Sequence, residues 1–394
     1  MWLVGGTRPE ALKLAPLVPA LRDTGVLRPY LVSSGQHPTM FHQGLAAFGL
    51  RPDLDLHIDR VTGTQAELAA RLGEQLDEAI AIDPPSAVVV QGDTTTALIG
   101  ALSAFWRQIP VVHLKAGLRS HDLAAPFPEE GNRRLIGQVA ALHLAPTGAA
   151  ADNLAADGLD GPEVLVTGNT VVDAVLAVAT RPHVPAVSAL AGPLRRVDAG
   201  ERRLVLVTVH RRESWGAPLR DVLGAVADLL ATHPDVEVVL PAHPNPAVRA
   251  DVLTLLGDHP RVTVTEPLDY PDLVGVLRRS TLVLSDSGGI QEEAPSLGVP
   301  VLVLREVTER MEAVDAGCAL LLGTDRDLIV RSATRLLADD ALRTGMTGRG
   351  NPFGDGAAAR RSADAIAWLL GLAPERPAEF DHGRHPARLL LVGS

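Results

Sequence analysis

Apolar residues along this chain fall into two alternating signatures. Short, almost uninterrupted apolar runs occur at Trp2–Val4, Pro29–Ser34, Ala87–Val90, Ile109–His113, Glu163–Val166, Arg203–Thr208, Glu237–Leu240, Arg261–Thr265 and Leu282–Leu284. Runs of this kind predict strands covered on both faces, as in parallel sheets. Between them, apolar residues recur every three or four positions over Ala11–Leu21, Met40–Phe48, Gln65–Ile82, Thr94–Phe105, Leu219–Thr232, Tyr270–Arg279, Ile290–Leu297 and Gly356–Leu370, which predicts helices. Repeated strand–turn–helix units read as an α/β chain of doubly wound parallel sheets, with ligands bound beyond the carboxyl ends of the strands. The repetition restarts once. It predicts a first domain over 1–169 joined by a returning helix over 356–371, a second domain over 170–355, a hinge at Thr167–Thr170, and an appended tail over 372–394 with a short apolar Leu389–Val392.

The strand ends carry the candidate chemistry. In Thr281–Pro300, a strand runs into Ser285, Asp286, Ser287, Gly288 and Gly289 before the next helix. Such a junction aims unsatisfied N–H groups and the positive end of a helix dipole at one spot, and its glycines let a phosphate approach. Ser287 adds a donor. Glu292 and Glu293 are expected in the first helical turn, with Glu293 also able to accept from ribose hydroxyls. A plain capped helix start would use the same residues. A second junction, Gly5 to Glu10, has Arg8 and Lys13 near its mouth; further polar strand ends are Gly35-Gln36-His37, Gln91-Gly92-Asp93-Thr94, Lys115-Ala116-Gly117-Leu118-Arg119, His210-Arg211-Arg212-Glu213-Ser214 and His243.

Length and composition narrow the function classes. The 394 residues, 46% hydrophobic and 21% charged, suffice for two sizeable cores. A formal net charge of −11 argues against nucleic acid or an anionic membrane as general partner, so anions must be met by a local pocket. The single cysteine, Cys318, rules out an intramolecular disulfide; with no membrane-length apolar run and no basic-then-apolar amino terminus, the expected location is the cytoplasm.

Taken together, Gly6-Thr7-Arg8-Pro9-Glu10-Ala11, Gly35-Gln36-His37, Gln91-Gly92-Asp93-Thr94, Ala116-Gly117-Leu118-Arg119, Pro128-Glu129-Glu130, His210-Arg211-Arg212-Glu213 and Asp286–Glu293 resemble the non-hydrolysing UDP-N-acetylglucosamine 2-epimerases, in the family's order and over nearly the whole chain. The resemblance implies a glycosyltransferase-B-like architecture, two Rossmann-like domains closing on a UDP-sugar in the cleft between them. It implies epimerisation at carbon 2 by elimination of UDP to a 2-acetamidoglucal and re-addition, with no cofactor and no metal, in a homodimer. Asp93 and Glu129 match acid–base carboxylates, His210 a contact to the leaving diphosphate, Arg8 a phosphate contact, and Ser287 and Glu293 nucleotide contacts. That chemistry needs a carboxylate-type base, a second group on the other sugar face and concentrated positive charge at the leaving oxygens.

Bland readings stand beside these. Asp93 could cap the helix that follows, His210 could be a strand-end histidine, Glu129 could be surface charge, and Arg119, Arg211, Arg212, His243, Arg305 and Arg310 could be salt-bridge residues. The chain also departs from the family pattern. Pro38 and Thr39 follow Gly35-Gln36-His37 in place of Arg-Glu, in the loop of the family's allosteric substrate site; Ser214 and Met311 replace an asparagine and a proline. Lys115 stands where the family has a glutamate, at a strand's carboxyl end, with Asp93 and Glu129 as expected partners. Three outcomes follow: epimerisation retained through Asp93 and Glu129, a different nucleotide sugar, or a binding-only protein. A hydrolysing epimerase is the remaining rival.

Overall fold

The computed structural model describes residues 1–381, so the apolar Leu389–Val392 and the rest of the tail from 382 lie outside the described residues. The described chain divides into two compact units, Met1–Ala174 together with 353–381, and Val175–Pro352.

The first unit is built on seven parallel strands, β1 (Trp2–Gly5), β2 (Tyr30–Ser33), β3 (Leu54–Asp55), β4 (Val88–Gln91), β5 (Val111–Leu114), β6 (Leu142–Ala145) and β7 (Val164–Val166), in the order β3-β2-β1-β4-β5-β6-β7. Side chains alternate across a strand. Leu3, Val89 and Val112 therefore pack with Leu14, Leu17, Phe41, Leu45 and Ile366 on one face, while Trp2, Val4, Val88, Val90 and Val111 pack with Leu72, Leu76, Ile80, Ala97 and Ile136 on the other. The second unit has six parallel strands, β8 (Arg203–Thr208), β9 (Val236–Pro241), β10 (Val262–Thr265), β11 (Ser280–Ser285), β12 (Val301–Val303) and β13 (Ala319–Leu321), ordered β10-β9-β8-β11-β12-β13. In each sheet the winding direction reverses beside the first strand, so the ends of β1 and β4, and of β8 and β11, flank a crevice suited to a ligand.

Three local expectations are corrected. Ala11–Leu21 is not one helix: Arg8–Leu14 ends before Pro16, which has no N–H to continue the ladder, and Leu17–Asp23 begins after it. Ile290–Leu297 starts earlier, as helix Gly288–Glu293, and Pro295 tightens the remainder, Ala294–Leu297, into a 3₁₀ turn. Glu292 and Glu293 consequently lie beyond the first turn. The start of the expected tail follows the edge of the first sheet: Phe380 N–H donates to Val166 O and Val166 N–H to the Glu379 carboxylate. A sheet edge that would otherwise present unpaired groups is thereby covered. No helix among the described residues is long and apolar enough to cross a membrane.

Within the first unit, Asn169 N–H donates to Phe353 O, and the Asp173 carboxylate accepts from the N–H groups of Ala358 and Ala359. Asp173 thus caps helix Ala358–Leu369, whose own N-cap residue offers no side-chain bond. Burial pushes the Asp173 carboxyl up to about 6. The sign is that of a raised acid: its contribution to stability is present below about pH 4 and is lost as pH rises through about 6, at most about 3 kcal/mol. Asp173→Asn is expected to gain stability relative to wild type between pH 5 and 7.5. Thermal unfolding at both values checks it, and a difference independent of pH contradicts it.

Candidate active site

In the first unit the β1 turn is fixed from below by Glu10. Its fully buried carboxylate accepts from Gly6 N–H at 3.0 Å, Thr7 N–H at 2.8 Å and Thr94 Oγ1 at 2.7 Å, which joins the turn after β1 to the turn after β4. Burial raises the Glu10 carboxyl, and the hydrogen bonds from Thr94, Gly6 and Thr7 oppose that rise. Gly6 has to be glycine, because a Cβ there would meet Ser34 Oγ at 1.9 Å. Arg8 opens helix Arg8–Leu14, and Lys13 sits in its last turn with only 7% of the residue exposed.

Asp93 does not cap helix Thr95–Trp106; Thr94 does, accepting from Ala97 N–H. The Asp93 carboxylate remains at the end of β4, 24% exposed, and accepts from Arg133 Nη2, while Asn132 Nδ2 donates to Asp93 O at 2.8 Å. Arg133 and Asn132 come from helix Glu129–Val139, which opens with the paired glutamates. The two glutamates separate in role. Glu130 is fully buried and accepts from Ser120 N–H at 2.9 Å and Arg134 Nε at 3.0 Å; burial would raise its carboxyl, but these bonds and Arg133 outweigh burial and hold it below the usual range. Glu129 is half-buried at the helix start.

Lys115 follows β5 with φ +61°, a left-handed conformation that non-glycine residues seldom adopt, and is half-buried. Two residues on, Gly117 has φ +90° and a Cβ position only 2.1 Å from Ala150 O, so the turn has one permissible residue type there. The buried guanidinium of Arg119 pairs with Asp157 at 2.8 Å and donates to Leu118 O. The salt-bridge reading accounts for those contacts.

In the second unit the organising group is Asp286, fully buried at the end of β11. Its carboxylate accepts from His210 N–H at 3.0 Å, Arg211 N–H at 2.9 Å, Ser214 Oγ at 3.1 Å and His210 Nδ1 at 2.9 Å. Burial alone would raise this carboxyl, but His210 and the Arg211 N–H outweigh it and hold it below its ordinary value. The bond fixes the His210 tautomer with the proton on Nδ1 and leaves Nε2 on a ring whose side chain is 49% exposed. His210 is therefore both a hydrogen-bonded strand-end histidine and an accessible one.

Ser287 is the N-cap residue of helix Gly288–Glu293, yet its hydroxyl makes no capping bond. A Cβ on Gly289 would find Ser287 Oγ at 3.7 Å and Glu293 Oε1 at 4.0 Å, so the glycine backbone lies between a hydroxyl and a carboxylate. Gly288 is covered differently: a Cβ there would meet the Arg310 guanidinium carbon at 2.9 Å. Arg310 donates to Glu292 at 3.1 Å and to Glu309 at 3.0 Å, and Arg305 pairs with the same Glu309, whose carboxyl, raised by burial but lowered more by these arginines, falls to about 2. Arg211 Nε donates to Asp286 O at 3.0 Å. His243 stacks at a tilt against Trp215, ring centroids 5.5 Å apart, and accepts from Asn245 N–H. Arg212 lies in the short turn Arg212–Ser214.

Sequence reasoning quoted Glu10 and Asp286 within motifs without giving them a task, and did not single out Arg133. The available signal was local for Glu10, a glutamate three residues after an N-cap threonine. None existed for Arg133.

The family model for UDP-N-acetylglucosamine 2-epimerase matches residues 19–367. The UDP-N-acetylglucosamine 2-epimerase of Bacillus subtilis is 42% identical over 377 residues, 96% of this chain and 97% of that one. Among solved structures, the S. aureus MnaA–UDP complex superposes with a TM-score of 0.87 at 39% identity, covering 96% of this chain and 99% of that one. The Neisseria meningitidis UDP-GlcNAc 2-epimerase bound to UDP-GlcNAc gives 0.83 at 35%, covering 93% and 99%.

Proposed function

The chain belongs to the UDP-N-acetylglucosamine 2-epimerase family, a family of isomerases, and from that premise we propose that it interconverts UDP-N-acetylglucosamine and UDP-N-acetylmannosamine by elimination and re-addition of UDP. Asp93 and Glu129 serve as the acid–base pair at carbon 2. One removes the carbon-2 proton; the C–H electrons form the C1–C2 double bond of a 2-acetamidoglucal, and UDP leaves with the electron pair of the C1–O bond. Return of the proton to the opposite face and of the UDP oxygen to C1 completes the inversion. His210, with a proton on Nε2 as well as on the Nδ1 that Asp286 holds, donates to the departing diphosphate and, with Arg8 and Lys13, stabilises its charge. Ser287, Gly288 and Gly289 hold the diphosphate, Glu293 the ribose, and Arg310 backs the same helix start.

The observation that carries this reading is the uncapped start of helix Gly288–Glu293, with an unengaged Ser287 capping hydroxyl beside a glycine and Glu293. Loss of one neutral donor to a charged ligand is worth about 1.5 kcal/mol or a little more. Ser287→Ala is accordingly expected to weaken UDP binding about tenfold by calorimetry. Equal affinity of wild type and variant, or no binding by either, contradicts the cradle.

Lys115 in place of the family glutamate is the feature by which this protein is an atypical member. A lysine can act as base only through its neutral amine, which pairing with a carboxylate would oppose. Retained epimerisation through Asp93 and Glu129 is the reading we adopt. Assembly as a homodimer through the first unit is supported by exposed Phe105 and Trp106 on helix Thr95–Trp106 and Leu135 on the neighbouring helix Glu129–Val139. Sedimentation as a monomer at micromolar concentration refutes that assembly.

A further inference from the structure

We infer that His113 is a positioning residue that sets the Gly92–Asp93 turn, and through it the Asp93 carboxylate, for proton transfer at carbon 2. The inference rests on the proposed role of Asp93.

His113 lies on β5, one strand over from the turn that ends β4, and is 1% exposed. Its Nε2 is 2.8 Å from Gly92 O. A carbonyl oxygen can only accept, so Nε2 carries the proton and donates, and Nδ1 is the bare nitrogen. That Nδ1 is buried with no hydrogen-bond partner among the described residues. The ring is thus committed to one tautomer and one bond. A second proton is opposed first by burial and then by His143, whose ring centroid lies 6.5 Å away, and by Arg119 and Arg133, so the imidazole falls to about 3 and stays neutral wherever the enzyme works.

The bond acts on the turn that carries Asp93. Gly92 has φ +68°, and its N–H donates to Leu114 O at 3.0 Å while its carbonyl takes the His113 proton. Gly92 is therefore held by β5 on both sides, its N–H by Leu114 O and its carbonyl, which belongs to the peptide joining it to Asp93, by His113. Beyond it, Asn132 holds Asp93 O and Arg133 the carboxylate. Without His113 the half-buried Gly92 carbonyl loses its donor, and the simplest remedy is rotation of that peptide, which swings Asp93 away from the position Arg133 marks.

The test compares His113→Phe, which keeps a ring and removes the donor; His113→Gln, whose amide nitrogen restores a donor at similar reach; and His113→Asn, whose amide is too short. Phe and Asn are expected to lower kcat about 10- to 100-fold with UDP affinity within twofold of wild type, and Gln to recover most of the loss. Folded Phe or Asn variants with kcat within twofold of wild type overturn the inference. So does a parallel fall in kcat, UDP affinity and melting temperature that Gln does not relieve. Amide hydrogen exchange separates this claim from the reading of Asp93. If wild type catalyses no proton exchange at carbon 2, the Asp93 role fails, and His113 is judged by whether the Phe or Asn variant speeds exchange of the residue 92–94 amides at least tenfold with the rest of β4 unchanged; unchanged exchange there overturns it.

Discussion

Asp93→Asn is expected to lower turnover by about 10²- to 10⁴-fold, the span removed with a general acid–base group, while the affinity for UDP stays within about twofold. The substitution preserves shape, and an asparagine oxygen can still accept from Arg133, so the ion-pair neighbourhood loses a charge and not its packing. The turn is unaffected, because Asn132 holds the Asp93 backbone carbonyl and Thr94 caps the helix. What disappears is the ability to take up a proton. Steady-state kinetics with calorimetry of UDP checks it; more than a tenth of wild-type turnover in the variant assigns Asp93 to a structural pairing with Arg133 instead.

Asp286→Ala is expected to cost about 3 kcal/mol or more of stability and to impair diphosphate binding as well. The buried carboxylate satisfies His210 N–H, Arg211 N–H and Ser214 Oγ, and an unpaired buried donor costs about 1–3 kcal/mol. It also fixes the His210 ring through Nδ1, so the loss frees the side chain proposed to meet the leaving group. Because the native carboxyl is held below its ordinary value, its stabilisation is present above about pH 4 and is lost as pH falls below that. Wild type should therefore lose its advantage over Asp286→Ala in acid. Urea unfolding at pH 7.5 and pH 3 measures the stability cost and its loss in acid, and a variant as stable as wild type at pH 7.5 contradicts the assignment.

The doubly wound fold was legible because its strands are buried on both faces and read as unbroken apolar runs, from Val88–Val90 to Leu282–Leu284. Other strands were not. β3, with two residues, β12 and β13, with three each, and β6, with four, went unread, whereas β7, also of three residues, was read within Glu163–Val166. The break at Pro16 was available from the residue itself, but the apolar spacing runs through it.

The site followed the same division between local and distant information. Ser287, Gly288, Gly289 and His210 stand in strand-end turns whose chemistry is written in consecutive residues. Arg133 answers Asp93 across 40 positions, Asp286 answers His210 across 76, and Glu10 meets Thr94 across 84; only the sheet order brings such pairs together. Arg119 stands in the turn after β5, and its ion-pair partner, Asp157, lies 38 positions on.

Proton NMR of UDP-N-acetylglucosamine incubated in deuterium oxide, with wild type and with Lys115→Ala, is the most direct measurement of whether this chain epimerises at carbon 2 despite its lysine. Wild type is predicted to place deuterium at carbon 2 and to yield UDP-N-acetylmannosamine with no steady release of UDP. Wild type that binds the substrate and leaves carbon 2 unexchanged, or that releases UDP and free sugar continuously, contradicts the proposed reaction.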